Sequence, residues 1–408
     1  MDLKNIDIVR SPIDINKVRL TAEVHYDARG VSPELYWFEV DKMFEKYLSS
    51  TANPWLACLM PLASFYGEPL RLCLPVDGAL YDNMQELQQL WKRSYPHMHV
   101  VPVEASAINC LDYHKKKSVA SFFSGGIDSF FTALRYNCVE SAFKTKIDDL
   151  LCVWGFDIPL KNKKDFFHLK GTLEKVSEKI HANFISVATN LRETRLKTVG
   201  WGPLYFGSAL ASVGLALEKK YSLIYIASNG EGWNMAPWGS HPLSDPLFST
   251  SNTRICHDGF MYTRVEKTEY ISKFEVARHG LHTCWKNSSY DNCSICDKCY
   301  RTMSTLDALG VLHLFPTFKK ELYDTSKLGH LYIKNDFQKI YYEDIKRLAT
   351  KKGRRDIVAS LNSSFGKSKL LNIAVPIARY ITNRLGKGHV FLRWLSILKN
   401  KLFGTIIT

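Results

Sequence analysis

The sequence predicts an α/β protein built on a doubly wound parallel sheet, and three observations predict it. From residue 118 onward, apolar runs alternate with helical stretches. Leu150–Phe156 is a continuous apolar run, as expected for a parallel strand covered on both faces. The run Val119–Phe123 ends in a glycine-rich turn that passes straight into a helical pattern.

In chain order, residues 1–116 read as a small α/β domain. Val18–His25 alternates like a strand, Pro33–Tyr47 reads as a helix, and Leu70–Pro75 as a short strand. Asn83–Trp91 follows as a helix and His99–Glu104 as a strand, with Lys115–Lys117 as the linker. Residues 117–315 form the central domain. Its strands are Ser118–Phe123, Leu150–Phe156, Phe184–Val187 and Leu223–Ala227; its helices are Phe130–Tyr136, Lys164–His181 and Tyr205–Lys219. Residues 233–262 read as a long polar and aromatic loop, a lid or acceptor wall, in which His241 and Asp245 stand out. Residues 316–408 form a helical basic extension.

The chain has 408 residues, 46% hydrophobic and 23% charged, which describes an ordinary globular composition. No run of about 18 apolar residues exists, so no membrane span is expected. Met1-Asp2-Leu3-Lys4 leads into polar sequence, so no signal peptide is expected and the reading is cytoplasmic.

The most informative segment is Ser124-Gly125-Gly126-Ile127-Asp128-Ser129. A strand ending in Ser-Gly-Gly and entering a helix suits a phosphate: glycines admit close backbone approach, and a helix N-terminus supplies N–H groups and a positive dipole end. Asp128 falls in the first helical turn, where a carboxylate suits magnesium or substrate. The alternative is a plain glycine-rich turn with a Ser/Asp cap. No Gly-Lys-Ser/Thr follows, so the turn is not a Walker A loop. Ligands in doubly wound sheets bind beyond the carboxyl ends of the strands. That rule adds Gly155–Asp157 for adenine, Asn190 and Arg192 for phosphate or acceptor, and Asn229-Gly230-Glu231.

Cys284, Cys293, Cys296 and Cys299 lie within sixteen residues and have the spacing of a tetrahedral thiolate site. Zinc in a structural role is the reading, with an iron–sulfur cluster as its competitor. The other six cysteines are scattered and read as buried thiols.

The block SGGIDS resembles the PP-loop, SGGxDS, of the N-type ATP pyrophosphatases, whose fold is a HUP-like doubly wound sheet. Those enzymes split ATP between the α- and β-phosphates and release pyrophosphate. The resemblance implies that Ser124, Gly125, Gly126, Ile127, Asp128 and Ser129 cradle the pyrophosphate and its Mg2+. With the Cys-x8-Cys-x2-Cys-x2-Cys knuckle, the chain is similar to 7-cyano-7-deazaguanine synthase and its relatives over about residues 117–312. Arg264-Val-Glu-Lys267-Thr-Glu269-Tyr-Ile271 resembles the segment preceding the knuckle in such enzymes, and implies that Lys267 contacts phosphate or adenylate. Asn229-Gly230 resembles the second pyrophosphatase loop. A broader group shares Trp238-Gly239-Ser240-His241-Pro242, Asp245-Pro246-Leu247 and the Asn292–Thr302 knuckle; some of its members belong to bacterial anti-phage operons.

The implied activity is ATP-dependent adenylation of a carboxylate by a ligase, with ammonia or an amine displacing AMP to give an amide or nitrile. Catalysis would fall to Asp128, Lys267 and Ser124. A tRNA base, or a sugar, peptide or protein partner met by the N-terminal region, stands as an alternative acceptor. A non-catalytic nucleotide-binding subunit is the alternative from another class. The formal net charge is +14, and residues 367–408 hold eight basic residues and no acidic one. Phe391, Leu392, Trp394, Leu395, Leu398, Leu402 and Phe403 recur there at helical spacing. Docking on protein, on nucleic acid or on a membrane surface all fit that pattern.

Overall fold

The computed structural model describes residues 1–108, 118–139, 145–229, 237–284 and 291–385, apart from the side chains of residues 107–108, Phe337 and residues 377–385. The linker Lys115–Lys117, Gly230, Glu231 and the tail from 386 onward lie outside the described residues. The chain divides into two compact units, Met1–Met261 and Tyr262–Thr408.

The first unit is organised by one ten-stranded, mostly parallel sheet. Its strands are β1 (Asp2–Arg10), β2 (Lys17–His25), β3 (Glu34–Asp41), β4 (Leu70–Leu72), β6 (Val103–Glu104), β8 (Ser118–Phe122), β9 (Asp149–Trp154), β10 (Asn183–Thr189), β11 (Tyr221–Ala227) and β12 (Arg254–Asp258), with β5 (Val76–Asp77) and β7 (Ala107–Ile108) pairing separately. The order across the sheet is β12-β11-β8-β9-β10-β3-β2-β1-β4-β6. The five strands from β12 to β10 are all parallel, and β10 meets β3 antiparallel.

The helices of this unit are α1 (Asn53–Tyr66), α2 (Gly78–Ser94), α3 (Ile127–Asn137), α4 (Lys163–Lys179) and α5 (Phe206–Ala216). The chain lays down β8, β9 and β10 outward in one direction, then returns beside β8 for β11 and β12. The strand order therefore reverses between β8 and β11. Helices cover both faces there: Tyr136 of α3 stacks on Tyr225, with ring centroids 4.6 Å apart, while Gly214 of α5 lies against the neighbouring Ile224. Adjacent residues of a strand point to opposite faces, so α3 and α5 lie on opposite sides.

The first 108 residues extend this sheet, so the boundary expected near residue 116 crosses a continuous layer. Residues 34–41 form a strand where a helix was expected; Tyr36, Phe38 and Val40 are buried at a spacing of two, and Phe38 packs on Trp55 of α1 with centroids 5.1 Å apart. A buried Glu218 ties the two stretches further: its carboxylate accepts from Ser49, Thr51 and Asn53, the latter two at 2.8 Å. Buried carboxylates are tolerated only when hydrogen-bonded in this way. At the end of β9, Gly155 has φ +106, and a Cβ there would lie 2.0 Å from the Thr189 carbonyl oxygen, so the close β9–β10 approach requires glycine.

The second unit is helical: α6 (Arg264–Ile271), α7 (Glu275–Gly280), α8 (Asp297–Ala308), α9 (Asp336–Lys351) and α10 (Arg355–Leu385). No described helix is long and apolar enough to cross a membrane.

Part of the expected loop 233–262 is ordered secondary structure. Arg254–Asp258 is β12, and its last residue, Asp258, is a clamp. The buried carboxylate accepts from Thr132 Oγ1 (2.7 Å), Tyr136 OH (3.1 Å) and the Arg135 guanidinium, three side chains of α3. Asp258→Ala removes the carboxylate shared by the buried Thr132 hydroxyl, Tyr136 and a partly buried Arg135, a loss of about 1–3 kcal/mol. The expected result is a lowered urea midpoint with unchanged denaturant slope; an unshifted midpoint would refute the clamp.

Candidate functional sites

Two sites emerge, one in each unit. The first is the turn from Ser124 to Ser129, between β8 and α3. Gly125 is buried and adopts φ 75, the left-handed conformation that lets the chain fold back from strand to helix without a Cβ clash. Gly126 is the N-cap of α3, with extended backbone, and offers no side chain to the helix end. The first intrahelical bond runs from Phe130 N–H to Gly126 C=O at 2.9 Å. The N–H groups of Ile127, Asp128 and Ser129 precede it, at the positive end of the helix dipole. Ser129 Oγ donates to Gly126 C=O at 3.0 Å and steadies the turn, so its hydroxyl hydrogen serves the protein. Ser124 is exposed and Asp128 half-buried, both at the mouth of the turn.

This turn follows β8, the central one of the five parallel strands, at the carboxyl end where strand order reverses. That is where doubly wound sheets open a crevice for ligands. Asn229 lies two residues past the end of the neighbouring β11 and is half-buried; Gly230 lies outside the described residues. Ser228 N–H donates to the Asp258 carbonyl at 2.8 Å, carrying the β11–β12 ladder up to that end.

Two expected phosphate contacts are committed elsewhere. Asn190 Nδ2 donates to Leu35 C=O (2.7 Å) and its Oδ1 accepts from Trp37 N–H (3.0 Å), so the side chain extends the junction of β10 with β3. Arg192 donates to Phe156 C=O (2.8 Å) and lies 4.5 Å over the Trp201 ring. It braces the turn after β9, which contains Gly155–Asp157. Lys267 is fully buried on α6 in the second unit.

Asp245 and His241, which stood out in the sequence, belong to a buried polar network whose pairing with His257 the sequence did not reveal. Asp245, completely buried, accepts from Ser240 Oγ at 2.6 Å and from His241 N–H at 3.2 Å, and faces His257 Nδ1 at 2.7 Å. Asp245 is thus a scaffold carboxylate that orients His257. The signal was a His-Asp pair at the end of a short strand, hidden because the segment read as loop.

The second site is the four-cysteine cluster. The Sγ atoms of Cys284, Cys293, Cys296 and Cys299 all lie within 4.8 Å of one another. Cys284–Cys296 and Cys293–Cys299 are each 3.9 Å apart, far beyond a disulfide bond. A tetrahedral ion with Zn–S bonds of about 2.3 Å requires edges of about 3.8 Å. The donor set fits a single metal ion such as zinc, and is too tight for a multi-iron cluster. Asn292 supports it: Oδ1 accepts from Thr283 N–H (2.8 Å) and Cys284 N–H (3.2 Å), while Nδ2 donates to Leu281 C=O at 2.9 Å. Cys296 is the N-cap of α8 and Cys299 lies in its first turn. Hydrogen bonding from the Cys299 thiol pulls Cys296 down to about 5, while Cys299 is pushed up by the same contact and by burial.

Outside this cluster, burial pushes the Cys152 thiol of β9 up to about 12, which disfavours it as a nucleophile. Comparison with protein-family models, curated proteins and solved structures returns no match to this chain.

Proposed function

We propose that this chain is an ATP-dependent, AMP-forming ligase of the PP-loop type. The observation that carries this reading is the position of the Ser124–Ser129 turn, after the central parallel strand and beside the reversal of strand order. The turn combines a left-handed Gly125, an uncapped helix N-terminus and an Asp128 carboxylate. These are features an oligophosphate uses, and they sit together only because the strand precedes the helix directly.

In the proposed reaction a carboxylate oxygen of the acid attacks the α-phosphorus of ATP. The bond from that phosphorus to the bridging oxygen breaks, and pyrophosphate leaves with the electron pair. The N–H groups at the start of α3 and the Ser124 hydroxyl bind the departing phosphates and spread their charge. When bound, magnesium would supply further charge neutralisation, with Asp128 as its carboxylate ligand. An amine then attacks the activated acyl carbon, AMP leaves, and the amine proton passes to solvent. Positioning supplies most of the rate, because the protein forms no covalent bond. By the resemblance set out above, the acid is of the 7-carboxy-7-deazaguanine class.

Zinc is the ion we assign to the four-cysteine cluster. Four thiolates close its tetrahedral shell and leave no position for substrate, so its role is structural. The high pKa direction of Cys152 weighs against a sulfur-transfer variant of the chemistry.

The test is release of AMP and pyrophosphate from magnesium ATP, with 7-carboxy-7-deazaguanine and ammonium as acceptors. Acid-dependent release that falls at least about a hundredfold in Ser124→Ala and Asp128→Asn is the expected result. Release that ignores both substitutions would remove the turn from the mechanism. ATP binding without release would retain the nucleotide site and discard the deazaguanine acid.

A further inference from the structure

The charge of this protein is unevenly divided. Residues 262–408 hold 26 basic and 12 acidic residues, which is the entire excess of +14; the first unit carries 28 of each sign and is neutral. Asp356 is the last acidic residue of the chain, and it is already paired with Arg354 at 2.8 Å. Every charged residue after it is positive.

Helix α10 has two unlike faces. Ile357, Leu361, Ser364, Ser368 and Leu371 are buried and pack within the second unit, where Ser364 Oγ donates to Leu331 C=O at 2.6 Å and Ser368 Oγ accepts from Ile333 N–H at 3.0 Å. At about 100° per residue, Leu370 and Ile373 fall on the opposite side. They are 62% and 53% exposed, with the exposed Lys369 beside them. Exposed aliphatic side chains three apart, on a helix that carries only positive charge beyond its first turn, suit one kind of surface. A nucleic acid would be met by the cations and would leave Leu370 and Ile373 in water. An anionic bilayer satisfies both, with headgroups for the lysines and arginines and the acyl boundary for the aliphatic residues.

We propose that the outward face of α10 is a docking surface for an anionic membrane, on which this protein lies without spanning it. This inference stands independently of the ligase reading.

The experiment is co-sedimentation of the full chain with vesicles of phosphatidylserine and phosphatidylcholine in equal parts, against phosphatidylcholine alone. Binding to the anionic vesicles only, weakened by added salt, is expected. Leu370→Ser with Ile373→Ser should weaken it at least about tenfold, since two aliphatic side chains leave the interface while the charge is unchanged. Both positions are exposed, so circular dichroism and melting of the double variant should match the parent. Lack of binding to anionic vesicles would overturn the proposal. So would vesicle binding that survives the double substitution, or binding to a single-stranded RNA oligonucleotide that displaces the vesicles and is equally indifferent to it. Either result would mark the charge alone as the determinant.

Discussion

Loss of metal from the four-cysteine cluster is expected to melt the start of α8 and lower the thermal midpoint by about 10 °C or more. Cys296 and Cys299 are 1% and 0% exposed, and their sulfur atoms crowd Cys284 and Cys293 at 3.9 Å. Thiolates held so close repel one another once the cation that joins them is gone. The cost appears locally, because Asn292 holds the backbone of Thr283 and Cys284, and Cys296 and Cys299 form the N-terminus of α8. The rest of the unit has apolar contacts of its own, such as Ile345, Leu361 and Leu371, and should hold together. Elemental analysis should give one zinc per chain, absent in Cys296→Ser. Amide exchange should accelerate around residues 293–300 on treatment with a chelator. Acid should favour release, since protons compete with the metal for the thiolates. A protein that purifies metal-free with an unchanged melting temperature would sink the assignment.

The second large effect is expected at Gly125. Its φ of 75 lies where a β-branched side chain is strained, and the residue is buried against its surroundings. Gly125→Val should shift the backbone N–H groups that begin α3, and a displacement of about 1 Å there costs on the order of a hundredfold in rate. Combined with Asp128→Asn, pyrophosphate release should fall by about a thousandfold or more, near 4 kcal/mol of transition-state stabilisation. The unfolding midpoint of the Gly125 variant should move far less than its activity, because the strain is of order 1–2 kcal/mol. Equal losses of stability and activity would instead make this turn a structural element only.

The legible parts of this protein are those whose information is local. The Ser124–Ser129 turn and the cysteine spacing are each written in a few consecutive residues, and both features occur where expected. The alternation of β8 through β11 with α3, α4 and α5 was likewise legible, since buried parallel strands read as apolar runs. The misreadings have physical causes. Residues 34–41 mix aromatic and acidic side chains, so a strand resembled a helix until pairing with β2 and β10 was known. Helix α1 went unread because twelve of its fourteen residues are buried, leaving no polar face to show a period. Strand β12 is short, sits at the sheet edge and ends in His257 and Asp258, which looked like loop chemistry.

Asn190 and Arg192 show the limit most clearly. Both lie just past a strand end, where a ligand contact is reasonable, yet one joins β10 to β3 and the other braces the Phe156 turn. Their hydrogen-bond partners are more than 30 residues away in the chain, and no local pattern encodes them.

The sequence by itself determined the α/β class, the glycine turn, the thiolate set and the one-sided charge of the C-terminal half. Each depends on residues close together in the chain or on simple counting. Only the tertiary structure decided that the first 108 residues complete the central sheet, that strand order reverses beside the turn, and that Asp258 and Asp245 anchor α3 and His257. Strand neighbours and buried polar partners are chosen by long-range packing, in which many sequences satisfy the same local rules and only the assembled core distinguishes them.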